Sequence, residues 1–176
     1  NSHPIEVDIE KASQINEIFD AISYSKGACI IGMVVGFIGL ENFKGGIHKY
    51  LSKYKYQNAT TINLWEELGS YSDKPLIEMM ANWTSKMGYP MVTIESDNNM
   101  VICSQKKFQH INNDKVVDSI WTVPLNLNIN SKIYPLILNQ KSNNYQIDNL
   151  GEKPIKLHND ETGFYVCNYD QDLLNR

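Results

Sequence analysis

The spacing of hydrophobic positions changes once along this chain, near residue 88, and the change separates a helical part from a strand-rich part. Ile15, Ile18, Phe19 and Ile22 recur at i, i+3, i+4 and i+7 behind Ser13, a candidate cap, and predict a short amphipathic helix. A turn is expected over Ser23 to Gly27. Residues 28 to 38 are apolar on every side, which predicts a helix surrounded by protein, with Gly32 and Gly36 placed four apart for close packing. Phe43, Ile47, Tyr50, Leu51 and Tyr54 mark one face of a third helix, and Leu64, Trp65 and Leu68 a fourth after Thr61. A fifth follows Asp73-Lys74-Pro75 with the stripe Leu76, Met80, Trp83 and Met87, and Gly88 with Pro90 just beyond is its expected stop.

From Met91 the pattern becomes short runs of period two, plainest where Leu125, Leu127 and Ile129 alternate with Asn126, Asn128 and Asn130. Further strands are expected at 91 to 95, 99 to 108, 133 to 139, 144 to 148, 153 to 158 and 163 to 169. Polar turns such as Ser96-Asp97-Asn98-Asn99 and Asn159-Asp160-Glu161-Thr162-Gly163 separate them. About seven short strands predict a small antiparallel β-sandwich. The expected fold class is therefore α+β: an N-terminal helical bundle over residues 1–88, a β-sandwich over 89–170, and the start of a following segment in 171–176.

Composition narrows the class of function. The chain has 176 residues, 42% of them hydrophobic, enough for one ordinary domain or two small ones with their own cores. Its net charge is -4 and its lysines are scattered without a basic stripe, which argues against a nucleic-acid partner. The apolar run Ala28 to Leu40 is well short of the roughly 20 residues of a bilayer span, so no membrane segment is expected. The chain begins at Asn1 without a charged-then-apolar leader pattern, and the expectation is a piece of something longer. Cys29, Cys103 and Cys167 are odd in number and far apart, and are read as small buried hydrophobes. The glycosylation-type triplets Asn58-Ala59-Thr60 and Asn82-Trp83-Thr84 do not decide a compartment, the second lying inside a helical pattern.

The search for chemistry is mostly negative. His3, His48, His110 and His158 are dispersed, and none belongs to a His-Glu-x-x-His helix; no metal site is expected within the chain. His158 beside Asp160 and Glu161 has the composition of a cation site and equally that of a polar turn between strands. His48 is placed on an exposed helix face. Glu66 and Glu67 are helix neighbours that point different ways and read as a solvated face. Tyr50, Tyr54, Tyr56 and Tyr71, without a basic groove, read as packing under amphipathic helices. No phosphate loop, nucleophile elbow or dinucleotide fingerprint occurs. Tyr24, before the most apolar helix, remains: a neutral phenol there can donate to an oxyanion if it is held in position, and can equally pack its ring and bond locally.

The stretch Glu17-Ile-Phe-Asp-Ala-Ile-Ser-Tyr-Ser-Lys-Gly-Ala28 resembles the segment that follows the zinc site in the gluzincin aminopeptidases, the family of aminopeptidase N and puromycin-sensitive aminopeptidase. Ser2-His3-Pro4-Ile5-Glu6-Val7 is similar to the family's upstream loop. Phe43, Gly46, Tyr50-Leu51, Asn58-Ala59 and Leu64-Trp65 fall where that family places them, and Trp83-Thr84 with Gly88-Tyr89-Pro90 resembles its domain junction. Ser104-Gln105-Lys106-Lys107-Phe108, Trp121-Thr122-Val123-Pro124-Leu125 and Gly163-Phe164-Tyr165 continue the likeness. The branch it most resembles is the puromycin-sensitive one, which implies a cytoplasmic location.

The resemblance implies that residues 1–88 are the C-terminal part of a thermolysin-like catalytic domain and 89–170 its β-sandwich neighbour. It implies a full-length zinc aminopeptidase acting on peptides with a free N-terminus, in which a zinc-bound water attacks the first peptide carbonyl. The tyrosine matching Tyr24 then donates to the oxyanion. The zinc ligands, the general base and the motif that binds the substrate amine would all lie N-terminal to Asn1, so the 176-residue chain alone is expected to bind no zinc and to be inactive. Gly32 and Val166 depart from the family, where arginine is frequent at both places; glycine costs up to about 1 kcal/mol in a helix interior. A noncatalytic interaction module derived from a peptidase stays open as an alternative, and a lectin- or adhesin-like sandwich would account for the second half alone.

Overall fold

The computed structural model describes residues 3–11, 14–16, 20–109, 119–158 and 161–176. Ser13, Ile18, Phe19, His110 and Asp160 lie outside the described residues, so the short amphipathic helix expected around Ile18 is not described as a whole. Ile15, from its apolar set, sits in a short 3-10 turn and is exposed.

Where a turn is expected over Ser23 to Gly27, the chain is helical. Residues Ile22–Lys26 form one π-helical turn that runs directly into α1, Gly27–Ile38. Its polar residues lack the apolar period of a helix, and the ends are fixed instead by side-chain bonds described below. Gly39, at φ 86, bends the chain by 117° into α2, Leu40–Lys53. Among the described residues no single helix is long and apolar enough to cross a membrane. α3, Thr61–Gly69, starts behind Thr60 rather than Thr61, in a capping box closed by Asn63. α4 spans Leu76–Ser85. It ends two residues before Met87, which is exposed, and the Thr84 and Ser85 hydroxyls bond back to the Met80 and Ala81 carbonyls in its last turn.

The helices share a core of Ile30, Met33, Val34 and Phe37 from α1, Trp65 and Leu68 from α3, and Leu76, Met79, Met80 and Trp83 from α4. α1 is not enclosed all round: Ala28 and Cys29 are exposed, because within the described residues no element packs on that side. Of the three cysteines only Cys103 is buried; Cys167 is half-buried. Gly36 packs closely, since a Cβ there would lie 2.6 Å from the Thr162 hydroxyl, whereas a Cβ at Gly32 would meet nothing within 4 Å.

Among the described residues seven strands follow: β1 Pro90–Asp97, β2 Met100–Lys107, β3 Val123–Ile129, β4 Lys132–Leu138, β5 Ser142–Gln146, β6 Ile155–Lys156 and β7 Val166–Tyr169. A four-residue helix α5, Gln171–Leu174, ends the chain. The strands form a sheet of order β5-β2-β1-β7 and one of order β4-β3-β6. Val92 and Ile94 of β1, Val101 and Cys103 of β2, and Val123, Leu125, Leu127 and Ile129 of β3 are buried between them, with Asn126 and Asn128 on the alternate positions. The Tyr145 hydroxyl of β5 donates to the Ile137 carbonyl of β4 at 2.8 Å, tying one sheet to the other. The β3–β4 hairpin turns on Asn130 and Ser131, both at positive φ, as a two-residue primed turn requires. One pair departs from the antiparallel expectation: β7 runs parallel to β1, pairing Val92 with Cys167 and Ile94 with Tyr169. The fold is α+β, a helical region followed by a β-sandwich.

Candidate functional site

Tyr24 stands in the middle of the π-turn, with 64% of its surface exposed, and its own N–H donates to the Asp20 carbonyl at 3.1 Å. Single π-turns inserted in helices recur at functional sites, because the extra residue per turn offsets the side chains from the regular helical rows. Two side chains fix this turn from opposite ends.

At the start, Asp20 Oδ1 accepts the Ile22 and Ser23 N–H groups at 2.9 and 3.0 Å, as an N-cap carboxylate does. Its other oxygen, Oδ2, lies 2.9 Å from His3 Nε2. His3 Nδ1 lies 2.6 Å from the Pro4 carbonyl, so both ring nitrogens face acceptors and both must donate, which is the imidazolium form. Accordingly the bond to Pro4 and then the Asp20 carboxylate raise the His3 pKa, while the Ser23 N–H and then His3 hold the Asp20 carboxyl below its usual range. The His3-Pro4-Ile5 loop is itself seated on the helical part, with Ile5 and Glu6 N–H groups donating to the Thr84 carbonyl at 3.0 Å.

At the far end, Lys26 is buried, and its amine donates to the Lys86 carbonyl at 2.7 Å. Burial, followed by the nearby Lys107 charge, lowers its pKa from 10.5 to about 8. A mostly apolar pocket of about 280 Å³ adjoins the turn, between His3, Ile22, Lys26, Cys29, Tyr89 and Phe164. Tyr89 stacks on Phe108 with ring centres 5.3 Å apart and meets Phe164 edge-on at 5.2 Å, so the pocket's wall joins the helices to the sandwich.

The remaining candidates are not brought to this place. His158 has partners of its own among the described residues: it stacks on the Tyr165 ring, and its Nδ1 accepts the Gly163 N–H at 3.1 Å. Among the described residues no group of three or more His, Cys, Asp or Glu side chains is arranged to hold a metal ion. His48 lies on an exposed face of α2. Asn82 of the second triplet is held within α4, donating to the Glu78 carbonyl at 3.1 Å, and Thr84 is buried.

The pair Glu66 and Glu67 is not a solvated face. Glu66 is exposed, but Glu67 is only 3% exposed, with Lys53 Nζ 2.5 Å from Oε1 and Lys49 Nζ 2.9 Å from Oε2. These lysines, Lys53 foremost, hold its carboxyl below the usual range. Tyr50 and Tyr54 pack against each other, yet Tyr56 is 95% exposed at φ 58 beyond the end of α2, so the four tyrosines are not one packed set. Gln105 was not singled out by pattern, and it is a buried polar pin within the strand-rich part. Its amide donates to the Trp121 and Gln140 carbonyls at 2.8 Å and accepts the Trp121 N–H at 2.9 Å. A glutamine flanked by Ser104 and Lys106 carries no periodic signal for such a role.

A helical region followed by a β-sandwich is the fold that the resemblance to gluzincin peptidases implies; the π-turn that carries the exposed tyrosine is an addition to it. Residues 1–83 match the Peptidase family M1 domain, and the chain belongs to this family of aminopeptidases. It is 40% identical to Aminopeptidase M1-C of Oryza sativa subsp. japonica over 98% of its own length and 20% of that protein's. It is 36% identical to Probable aminopeptidase 1 of Saccharolobus solfataricus, over 96% of the chain and 21% of that protein. To the Alanine/arginine aminopeptidase of Saccharomyces cerevisiae it is 33% identical, over 98% of the chain and 20% of that protein. The chain thus spans about a fifth of the length of the curated relatives it matches.

Proposed function

We propose that this chain is the part of a zinc aminopeptidase that supplies the oxyanion donor, Tyr24, and that the parent protein removes N-terminal residues from peptides. The observation that carries the reading is the pinned turn. Oxyanion stabilisation needs a donor fixed before charge develops, and the Asp20 carboxylate and the Lys26 amine hold the backbone on either side of an exposed phenol. In this reading the Tyr24 hydroxyl donates to the oxygen that becomes negative when the peptide carbonyl is attacked. The interaction-module alternative gives no reason for that construction.

The described residues do not fit a zinc site. His3 is committed to Asp20 and Pro4, His158 to Tyr165 and Gly163, and no third donor accompanies either. In the proposal the metal ligands, the general base and the group that holds the substrate amine come from other parts of the parent, and residues 1–88 and 89–170 are parts of its catalytic and sandwich domains. The separate 176-residue chain is then without peptidase activity.

The test is Tyr24→Phe in the full-length parent. Folding and zinc content are expected to be unchanged while kcat falls on the order of 100-fold, the loss typical of one oxyanion donor. Turnover equal to that of the unsubstituted enzyme would refute the role of Tyr24.

A further inference from the structure

Lys26 is joined to more than one carbonyl's worth of structure. Its acceptor belongs to Lys86, sixty positions away and the first residue beyond α4. The Lys86 amine in turn donates to the Ile120 carbonyl at 2.5 Å and to the Asn82 side chain, and lies 6.0 Å from the centre of the Trp121 ring. Trp121 is clasped through both backbone groups by Gln105 of β2. The Trp83 indole adds a parallel link, donating to the Thr122 carbonyl at 2.9 Å. A continuous set of contacts therefore runs from the π-turn, through two lysines, into the sheet that contains β2.

Charge pairing does not account for these two amines. Among the described residues neither Lys26 nor Lys86 forms an ion pair with a carboxylate, and burial lowers the pKa of both. An ammonium buried without a counter-ion is costly, and an apolar side chain of similar length would fill the space without that cost. What Lys26 provides and methionine would not is a directed bond to a carbonyl across the junction.

We propose that Lys26 is a positioning residue for Tyr24: its bond to the Lys86 carbonyl ties the π-turn to the end of α4 and, through the Lys86 side chain, to the sandwich, so that the strand-rich half helps to set where the phenol stands. The inference rests on the oxyanion role proposed for Tyr24. It predicts that the effect of losing Lys26 is exerted through the Tyr24 hydroxyl and disappears when that hydroxyl is absent.

A double-mutant cycle in the full-length parent tests this, with kcat and KM measured for the unsubstituted enzyme, Lys26→Met, Tyr24→Phe and the double variant. Lys26→Met is expected to lower kcat about 10-fold, since small displacements of a reacting group are costly, with KM changed less than about twofold. In the Tyr24→Phe background the same substitution is expected to change kcat by less than about twofold. Equal losses in the two backgrounds, or full kcat in Lys26→Met, would overturn the inference. Tyr24→Phe with undiminished kcat would instead overturn the oxyanion role on which it rests. Should Lys26→Met not fold, Lys26→Leu, which also removes the donor, is carried through the same cycle with the same two criteria.

Discussion

Gly46 is the point at which α2 and α3 touch, and its replacement by alanine separates two opposed effects. A Cβ at Gly46 would lie 2.8 Å from the Leu68 Cα, 2.9 Å from its Cδ2 and 3.3 Å from the Glu67 carbonyl oxygen. Carbon atoms prefer about 3.5–4.0 Å, so the helices would have to part by about 1 Å, and two of the three atoms met are backbone that cannot rotate aside. Overpacking of this kind costs about 1–3 kcal/mol, while alanine in a helix interior returns about 1 kcal/mol relative to glycine. The net expectation is destabilisation by about 1 kcal/mol. Separation of α2 from α3 would also pull Lys49 and Lys53 away from Glu67. Gly32→Ala is the control, because a Cβ there meets nothing within 4 Å and only the propensity gain remains, a stabilisation of up to about 1 kcal/mol. Urea unfolding of the two variants and the unsubstituted chain provides the assay. If Gly46→Ala raised the midpoint as Gly32→Ala is expected to, the close contact between α2 and α3 would be wrong.

Two further predictions concern pH. Lys26 has its folded pKa lowered, so its burial penalty is full below about pH 8 and is relieved as pH rises toward its unfolded value of 10.5. At about 1.4 kcal/mol per pH unit, stability should rise relative to Lys26→Met by on the order of 3 kcal/mol over that interval. Lys107, whose charge lowers the Lys26 pKa, and His3, which lines the same pocket, are common to both proteins, as are the Cys103 and Cys167 thiols, pushed up to about 12 by burial that is complete for Cys103 and partial for Cys167. Stability that those thiols contribute is lost above about pH 9 in both, so the difference between the two unfolding curves isolates Lys26, and parallel curves would exclude its burial as an ammonium. Glu67 has its pKa lowered by Lys53 and Lys49, so its contribution is present above its unfolded value of 4.5 and lost as pH falls through the lower, folded one; Glu67→Gln should be less stable at pH 7, with the difference shrinking as pH falls below 4.5, as thermal unfolding would record.

Much of the fold is legible because hydrophobic period reports burial directly. Leu125, Leu127 and Ile129 alternate and are buried, and all seven expected strands exist. What the pattern misses depends on tertiary contact. Glu67 is one residue from exposed Glu66, and only the approach of α2 at Gly46, which brings Lys49 and Lys53 over it, distinguishes them. The parallel placement of β7 beside β1 has no local signature, since a strand's own residues do not specify the direction of its neighbour. α1 is apolar all round, yet Ala28 and Cys29 are exposed; the sequence records a preference for burial, and burial itself needs a partner surface.

The same distinction explains why Tyr24 carries the candidate site. A tyrosine used for packing is fixed but has its ring covered, and a tyrosine on a surface loop is reachable but not fixed. Donation to a transient anion needs both conditions, because a donor that must reorganise as charge develops loses much of its value. Here order comes from side chains two and four positions away: Lys26 fastened to Lys86, and Asp20 fastened to His3 and to the Ile22 and Ser23 N–H groups. Ser-Tyr-Ser-Lys-Gly has the composition of a turn, and a turn is what period and propensity predict for it. A π-helical turn held by Asp20 before it and Lys26 at its end keeps the phenol exposed while its backbone is held, and those anchors cross to the His3 loop on one side and to Lys86, just beyond α4, on the other. The bonds that hold the turn bearing Tyr24 thereby come from three separate stretches of chain, residues 3–4, 20–26 and 86, which is why spacing within any one of them does not reveal the arrangement.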